Sequence, residues 1–185
     1  MKKISTACFT GHRPAQLPFP TFPGSDGYRR LADFLDYYIL YLHESHGVTS
    51  FISGMALGVD MLAAERVLRL RESGIPIQLV CAIPCDGQAS RWRREDRERY
   101  NNICREANEL IQLGHEYTSE CMQERNRFMV NNSSHCIAVW NGEIGGTSST
   151  VRLARKSKLH LYIINPTDFS VTIETGDPEI GLFDI

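Results

Sequence analysis

The stretch Ile52-Ser53-Gly54-Met55-Ala56-Leu57-Gly58-Val59-Asp60 decides how this chain folds. Before it, Val48–Ser53 is a short β-prone run closed by Gly54. After it, Val59–Glu72 carries Met61, Leu62, Ala64, Val67, Leu68 and Leu70 at the spacing of a packed helix, and Gly74 ends it. A strand that passes through two glycines into a helix is the opening of a βα unit. Such a loop turns backbone N–H groups toward an anion at the helix N-terminus. The glycine spacing is neither that of the dinucleotide fingerprint nor that of the P-loop, and the P-loop lysine is absent. Asp60 falls in the first helical turn. A ribose hydroxyl and the helix dipole each account for an acid there.

Outward from this unit the same alternation repeats. Ile4–Thr10 reads as the first strand, and Gly27–His46 as a helix with Leu31, Phe34, Leu35, Tyr38, Ile39 and Leu42 on one face and Gly47 as its stop. Ile77–Ile83, bounded by Pro76 and Pro84, reads as a strand buried on both faces. The spacing then predicts a long charged helix over Ala89–Ile111, a short strand near Gln112–Glu116 and a helix over Ser119–Asn132. A strand at Cys136–Trp140, a helix over Ser148–Lys156 and a last clear strand at His160–Ile164 complete the series. Beyond Asn165 no period stands out. Repeated β-α-β units predict an α/β, Rossmann-like three-layer α/β/α sandwich with a mostly parallel sheet. The expected division is one domain over residues 1–166 and a C-terminal tail over 167–185.

The chain has 185 residues, 42% hydrophobic and 23% charged, with a formal net charge of −2. That composition suits one folded domain and argues against disorder. The near-zero balance makes nucleic acid an unlikely partner, because phosphates call for a basic excess. No apolar run is long enough to span a bilayer, so no membrane association is expected. The apolar part of Met1–Phe9 is too short for a signal peptide, and the expected location is cytoplasmic. The six cysteines include no C-x-x-C pair and lie mostly in apolar runs, so neither a disulfide framework nor a metal site is expected.

In an open α/β sheet, ligands sit outside the carboxyl ends of the strands. Three glycine-bearing turns fall there. In Phe9-Thr10-Gly11-His12-Arg13-Pro14, Gly11 permits close backbone approach, Thr10 offers a hydroxyl, and Arg13 suits a phosphate. An ordinary tight turn with a surface arginine explains the segment equally well. The second turn is Ser53–Asp60. In the third, Gly145-Gly146 precede Thr147-Ser148-Ser149-Thr150, which reads as a phosphate cradle or as a plain N-cap. After the central strand, Gln88 and Trp92 lie closest to the strand end, where Trp92 would stack on a base. The arginines from Arg91 to Arg105 alternate with Glu95, Asp96 and Glu98, the pattern of a solvated salt-bridged face.

Taken together, Thr10–Pro14, Ser53–Asp60, Gln88 with Trp92, Asn126 with Arg127, and Gly145-Gly146-Thr147 resemble, in this order, the YpsA-like family of bacterial proteins. That family belongs to the SLOG superfamily, which also holds the LOG-type phosphoribohydrolases and the DNA-processing protein DprA. The resemblance runs from about Ile4 to Pro166. It implies a Rossmann-like fold and a pocket for a nucleotide or nucleotide-derived ligand, lined by Thr10, Gly11, Arg13, Ser53, Gly54, Met55, Ala56, Gly58, Asp60, Gln88, Trp92, Asn126, Gly145, Gly146 and Thr147. LOG-type hydrolases use a Pro-Gly-Gly-x-Gly-Thr-x-x-Glu loop. Here Gly146-Thr147 match its Gly-Thr, Gly142-Glu143-Ile144 replace Pro-Gly-Gly, and Thr150 stands where the carboxylate would be.

The leading expectation is therefore nucleotide-ligand binding in a sensing or regulatory role, with no certain cofactor. An N-glycosidase acting on nucleotide monophosphates is the enzymatic alternative, with Asp60, Glu65 and Glu143 as the carboxylates to try. Single-stranded DNA binding in the manner of DprA is the third, and homo-oligomer formation is compatible with the fold.

Overall fold

The computed structural model describes residues 2–176. Strand β1 (Thr6–Gly11) follows a single 3-10 turn at Lys3–Ser5, and a second such turn at Pro14–Gln16 leads toward α1 (Asp26–His46). There follow β2 (Ser50–Ser53), α2 (Val59–Glu72), β3 (Gln78–Ile83), α3 (Arg94–Glu106) and β4 (Glu109–Gln112). The series continues with α4 (Cys121–Asn131), β5 (His135–Val139), α5 (Gly146–Lys156), β6 (His160–Ile164) and β7 (Val171–Glu174). The seven strands form one sheet in the order β4-β3-β2-β1-β5-β6-β7. All pairings are parallel except β6 with β7.

Alternation along each strand sends successive side chains to opposite faces. Ala7 and Phe9, Leu79 and Cys81, and Ile137 and Val139 face one layer, with Leu31, Leu35 and Ile39 of α1, Met61 and Val67 of α2, and Ile103 of α3. Cys8, Val80, Ala82, Cys136 and Ala138 face the other, against Met129 and Val130 of α4 and Val151 and Ala154 of α5. The three-layer sandwich with a mostly parallel sheet is the architecture observed. Strand order reverses at β1, which pairs with β2 on one side and β5 on the other. In such sheets this switch point opens a crevice at the strand carboxyl ends.

Three local expectations are corrected. The charged helix covers only Arg94–Glu106, because the chain turns extended at Ala107 (φ −62°, ψ 146°). Asn108 then accepts the Leu79 amide on its side chain at 3.0 Å and donates its own amide to the Leu79 carbonyl at 2.9 Å. That clamp starts β4 at Glu109, ahead of the expected Gln112–Glu116. Before the helix, Gly87 (φ +68°) turns the chain, so residues 89–93 are not helical. Past Asn165, where no period stood out, Val171–Glu174 pairs antiparallel with β6 as an edge strand.

Candidate functional site

The turns after β1, β2 and β5 converge at the switch point on a cleft of about 210 Å3. Thr10, Gly11 and Arg13 line it from the β1 turn, Ala56 and Asp60 from the β2–α2 loop, and Gly146 and Thr147 from the start of α5. Asn126 lines it from α4. Gly11 has a packing reason as well: a Cβ there would stand 2.5 Å from Val59, so the glycine lets β1 meet α2.

The β2–α2 loop is locked from within. The Ser53 hydroxyl donates to the Asp60 carbonyl at 2.7 Å and accepts the Met55 amide at 3.1 Å. Met55 is buried and left-handed (φ +54°), and Gly58 has φ +99° with the His12 carbonyl where a Cβ would go. The Val59 amide donates to that carbonyl at 3.2 Å, tying the first turn to the second. Gln88 braces the loop from outside, donating to the Gly54 and Met55 carbonyls at 3.3 and 2.9 Å. Ser53, Gly54, Met55, Gly58 and Gln88 therefore build the frame rather than the cleft surface.

Under this loop lies a buried ion pair. Asp60 and Arg125 are each 5% exposed, with Arg125 Nη1 3.8 Å from Asp60 Oδ2. Arg125 Nη1 also donates to the Gly54 carbonyl, and its Nε donates to Asn126 Oδ1 at 2.8 Å. A Cβ on Gly54 would collide with the guanidinium. Burial pushes the Asp60 carboxyl up, opposed by the charges of Arg125 and Arg13 and by the Ala56 amide. Burial likewise pulls Arg125 down, opposed by Asp60. Both directions follow from desolvation of a long pair.

The β5–α5 turn is held by fewer side chains. Gly145 donates its amide to Ser148 Oγ at 2.9 Å, and the Ser149 amide starts the helical ladder on Gly145. The amides of Gly146, Thr147 and Ser148 have no acceptor among the described residues. Asn126 Nδ2 donates to Thr150 Oγ1 at 2.8 Å, joining α4 to α5. The third turn is fixed to the first by His12, whose Nε2 stands 2.8 Å from Asn141 Oδ1. His12 Nε2 also lies 3.2 Å from the Asn141 backbone amide, and its Nδ1 is buried without a partner.

Sequence reasoning missed Arg125 and Gln16, both lining the cleft. Arg125 carried a signal: Cys121, Arg125 and Met129 at i, i+4 are the buried stripe of α4, and a charge in such a stripe calls for a partner. Trp92 does not reach the cleft and packs edge-on to Tyr100 with centroids 5.5 Å apart. Glu65 pairs with Arg99, which also donates to the Tyr28 hydroxyl at 2.9 Å, and Glu143 is exposed on the β5–α5 loop. Among the described residues lining the cleft, Asp60 is the only carboxylate. No group of three or more His, Cys, Asp or Glu side chains suits a metal ion among the described residues.

Fold and site together define a Rossmann-like α/β protein with a small cleft at the topological switch point. The YpsA family model (YspA SLOG family) matches residues 7–169, and the chain belongs to that family. It is 28% identical to the SPbeta prophage-derived protein YoqJ of Bacillus subtilis, over 67% of this chain and 80% of that protein. It is 30% identical to a UPF0398 protein of Brevibacillus brevis, over 70% of this chain and 72% of the relative. Among solved structures, DNA processing protein A of Streptococcus pneumoniae matches with a TM-score of 0.62 at 15% identity, over 88% of this chain. That of Helicobacter pylori, known for its single-stranded DNA binding mode, matches with a TM-score of 0.59 at 18% identity, also over 88% of this chain. The chain spans 51% and 66% of those two proteins, so the likeness is one of fold.

Proposed function

We propose that this protein binds a nucleotide or nucleotide-derived ligand in the switch-point cleft, in a sensing or regulatory role. The observation that carries the reading is the pair of amides at Gly146 and Thr147, without an acceptor among the described residues, at a cleft that these two residues line together with Arg13, Arg125 and the carboxylate Asp60. Amides at a helix start and a guanidinium favour a phosphate, while the Asp60 carboxylate suits a ribose hydroxyl. A volume of about 210 Å3 is below the range usual for drug-sized ligands. It suits the phosphate and sugar, with the base reaching toward the mouth.

The glycosidase reading has one carboxylate where the chemistry usually wants a pair. Against the DNA reading, three arginines of α3 are engaged within the fold: Arg94 pairs with Glu98, Arg99 pairs with Glu65, and Arg97 donates to the Trp92 carbonyl. No helix among the described residues is long and apolar enough to cross a membrane. Isothermal titration against nucleoside monophosphates, ADP-ribose and cyclic nucleotides tests the proposal. The expected result is saturable binding of at least one ligand, weakened about tenfold or more by Arg13→Ala. Silence across the panel overturns it. Release of free base, lost in Asp60→Asn, would turn it into the hydrolase.

A further inference from the structure

Gln16, exposed on the turn after β1, is held in one orientation. The Arg13 amide donates to its Oε1 at 3.2 Å, and the Gln16 amide donates to the Arg13 carbonyl at 2.9 Å. A backbone N–H can only donate, so the side-chain atom it meets is the carboxamide oxygen and the other branch is the NH2 group. That nitrogen reaches toward the β5–α5 turn: a Cβ built on Gly145 would have Gln16 Nε2 as its neighbour at 3.8 Å. The carbonyls next to it are engaged. That of Gly145 receives the Ser149 amide and the hydroxyls of Ser148 and Ser149, and that of Gly146 receives the Thr150 hydroxyl. Gln16 Nε2 is therefore a donor at the cleft with no acceptor among the described residues. Thr10 and Thr147 share that condition. They are 7% and 8% exposed, they line the same cleft, and their hydroxyls have no partner among the described residues.

Resting on the nucleotide-binding reading of this cleft, we propose that Gln16 makes it select a terminal phosphate, a phosphomonoester, over an internal phosphodiester. The donors come from two elements. Gly146 and Thr147 bring amides from the start of α5, and Arg13 and Gln16 bring a guanidinium and an NH2 group from the β1 turn. A terminal phosphate offers three strong acceptor oxygens and carries close to two negative charges at neutral pH. A diester offers only two such oxygens and one charge. With two oxygens taken by the amides and the guanidinium, the third is left for the Gln16 NH2. A diester turns an esterified oxygen that way, a poor acceptor, and leaves the donor unmet. A volume of about 210 Å3 likewise suits a group that ends in the cleft rather than a chain that passes through it.

The test is equilibrium binding by the full chain of adenosine, guanosine, cytidine and uridine monophosphates, each beside its cyclic monophosphate, at about pH 8, where the monoester is fully ionised. At least one monophosphate should bind about tenfold or more tightly than its cyclic partner, the worth of one charge-assisted hydrogen bond. Gln16→Glu keeps an acceptor for the Arg13 amide and replaces the donor with a carboxylate. It should weaken the monophosphate by about tenfold or more and abolish the preference. Gln16→Met removes the donor without adding charge and should bring the two affinities close together. A wild type that binds both forms equally, or a Gln16→Met variant that keeps the full preference, overturns the proposal and leaves the cleft a nucleotide site. Binding of neither form of any nucleoside overturns it as well, and the ADP-ribose titration then decides the wider reading.

Discussion

The two glycine loops flanking β1 look alike in sequence and differ in how firmly side chains from the rest of the fold hold them. Ser53–Asp60 is tied down from within and from outside: Ser53 serves Met55 and Asp60, Gln88 takes the Gly54 and Met55 carbonyls, and Arg125 takes the Gly54 carbonyl again. In Gly145–Ser148 three consecutive amides stay unpaired among the described residues. The first loop is a frame whose glycines are needed for packing. The second is a mouth whose glycines keep space open, since a Cβ on Gly146 would meet nothing within 4 Å. A glycine-bearing βα turn is thus no measure of ligand contact until the destinations of its amides are known.

The largest effect expected from this contrast is that of Gly54→Ala. The new methyl lands on the buried Arg125 guanidinium, so the expected loss is roughly 2–4 kcal/mol in urea unfolding. A loss under about 0.5 kcal/mol would show that the frame is loose.

Acid gives an effect of intermediate size and separates the two ends of the sheet. At the end opposite the cleft, His135 stacks on His160 and packs at a tilt against His46, with ring centroids 5.0 and 4.9 Å apart. Burial, then the charges of His160 and His46, push His135 down to about 3. The unfolded chain protonates this group near 6.5, so it binds more protons than the fold between that value and about 3. Stability from this residue is full above pH 6.5 and falls as the pH drops toward 3. Asp60, pushed up by burial, acts in the opposite sense: just above pH 3.8 the fold holds its proton more tightly than the unfolded chain does. Urea midpoints between pH 7 and 4 should therefore fall, by roughly 1–2 kcal/mol in free energy, and His135→Leu should flatten the slope. An unchanged slope in that variant would place the acid-sensitive group elsewhere.

The smallest effect is the converse of the first. Gly146→Ala should change stability by no more than about 0.5 kcal/mol while weakening ligand binding, because the methyl enters the cleft beside the free amides. A large stability loss there would make the two loops alike.

Much of this was legible in the residues. Val59–Glu72 and His160–Ile164 stand where the spacing put them, because helical and strand periods record local burial. The misread segment, Ala89–Ile111, is charged and rich in helix formers, and nothing local marks its end. Asn108 ends it by clamping Leu79, a residue 29 positions away. Trp92 looked like a base platform because it is near the β3 end in sequence, yet the turn at Gly87 carries it back onto Tyr100.

By itself the sequence determined the layers, the mostly parallel sheet and which turns lie at its carboxyl edge, since these follow from periodicity and from the right-handed crossover of βα units. Only the tertiary structure decided which amides remain unpaired, that Arg125 lies beneath Gly54, and that Asn108 clamps Leu79. Each of these depends on a partner tens of residues away in the chain, and a hydrogen bond or a buried charge is satisfied only across that distance in the packed fold.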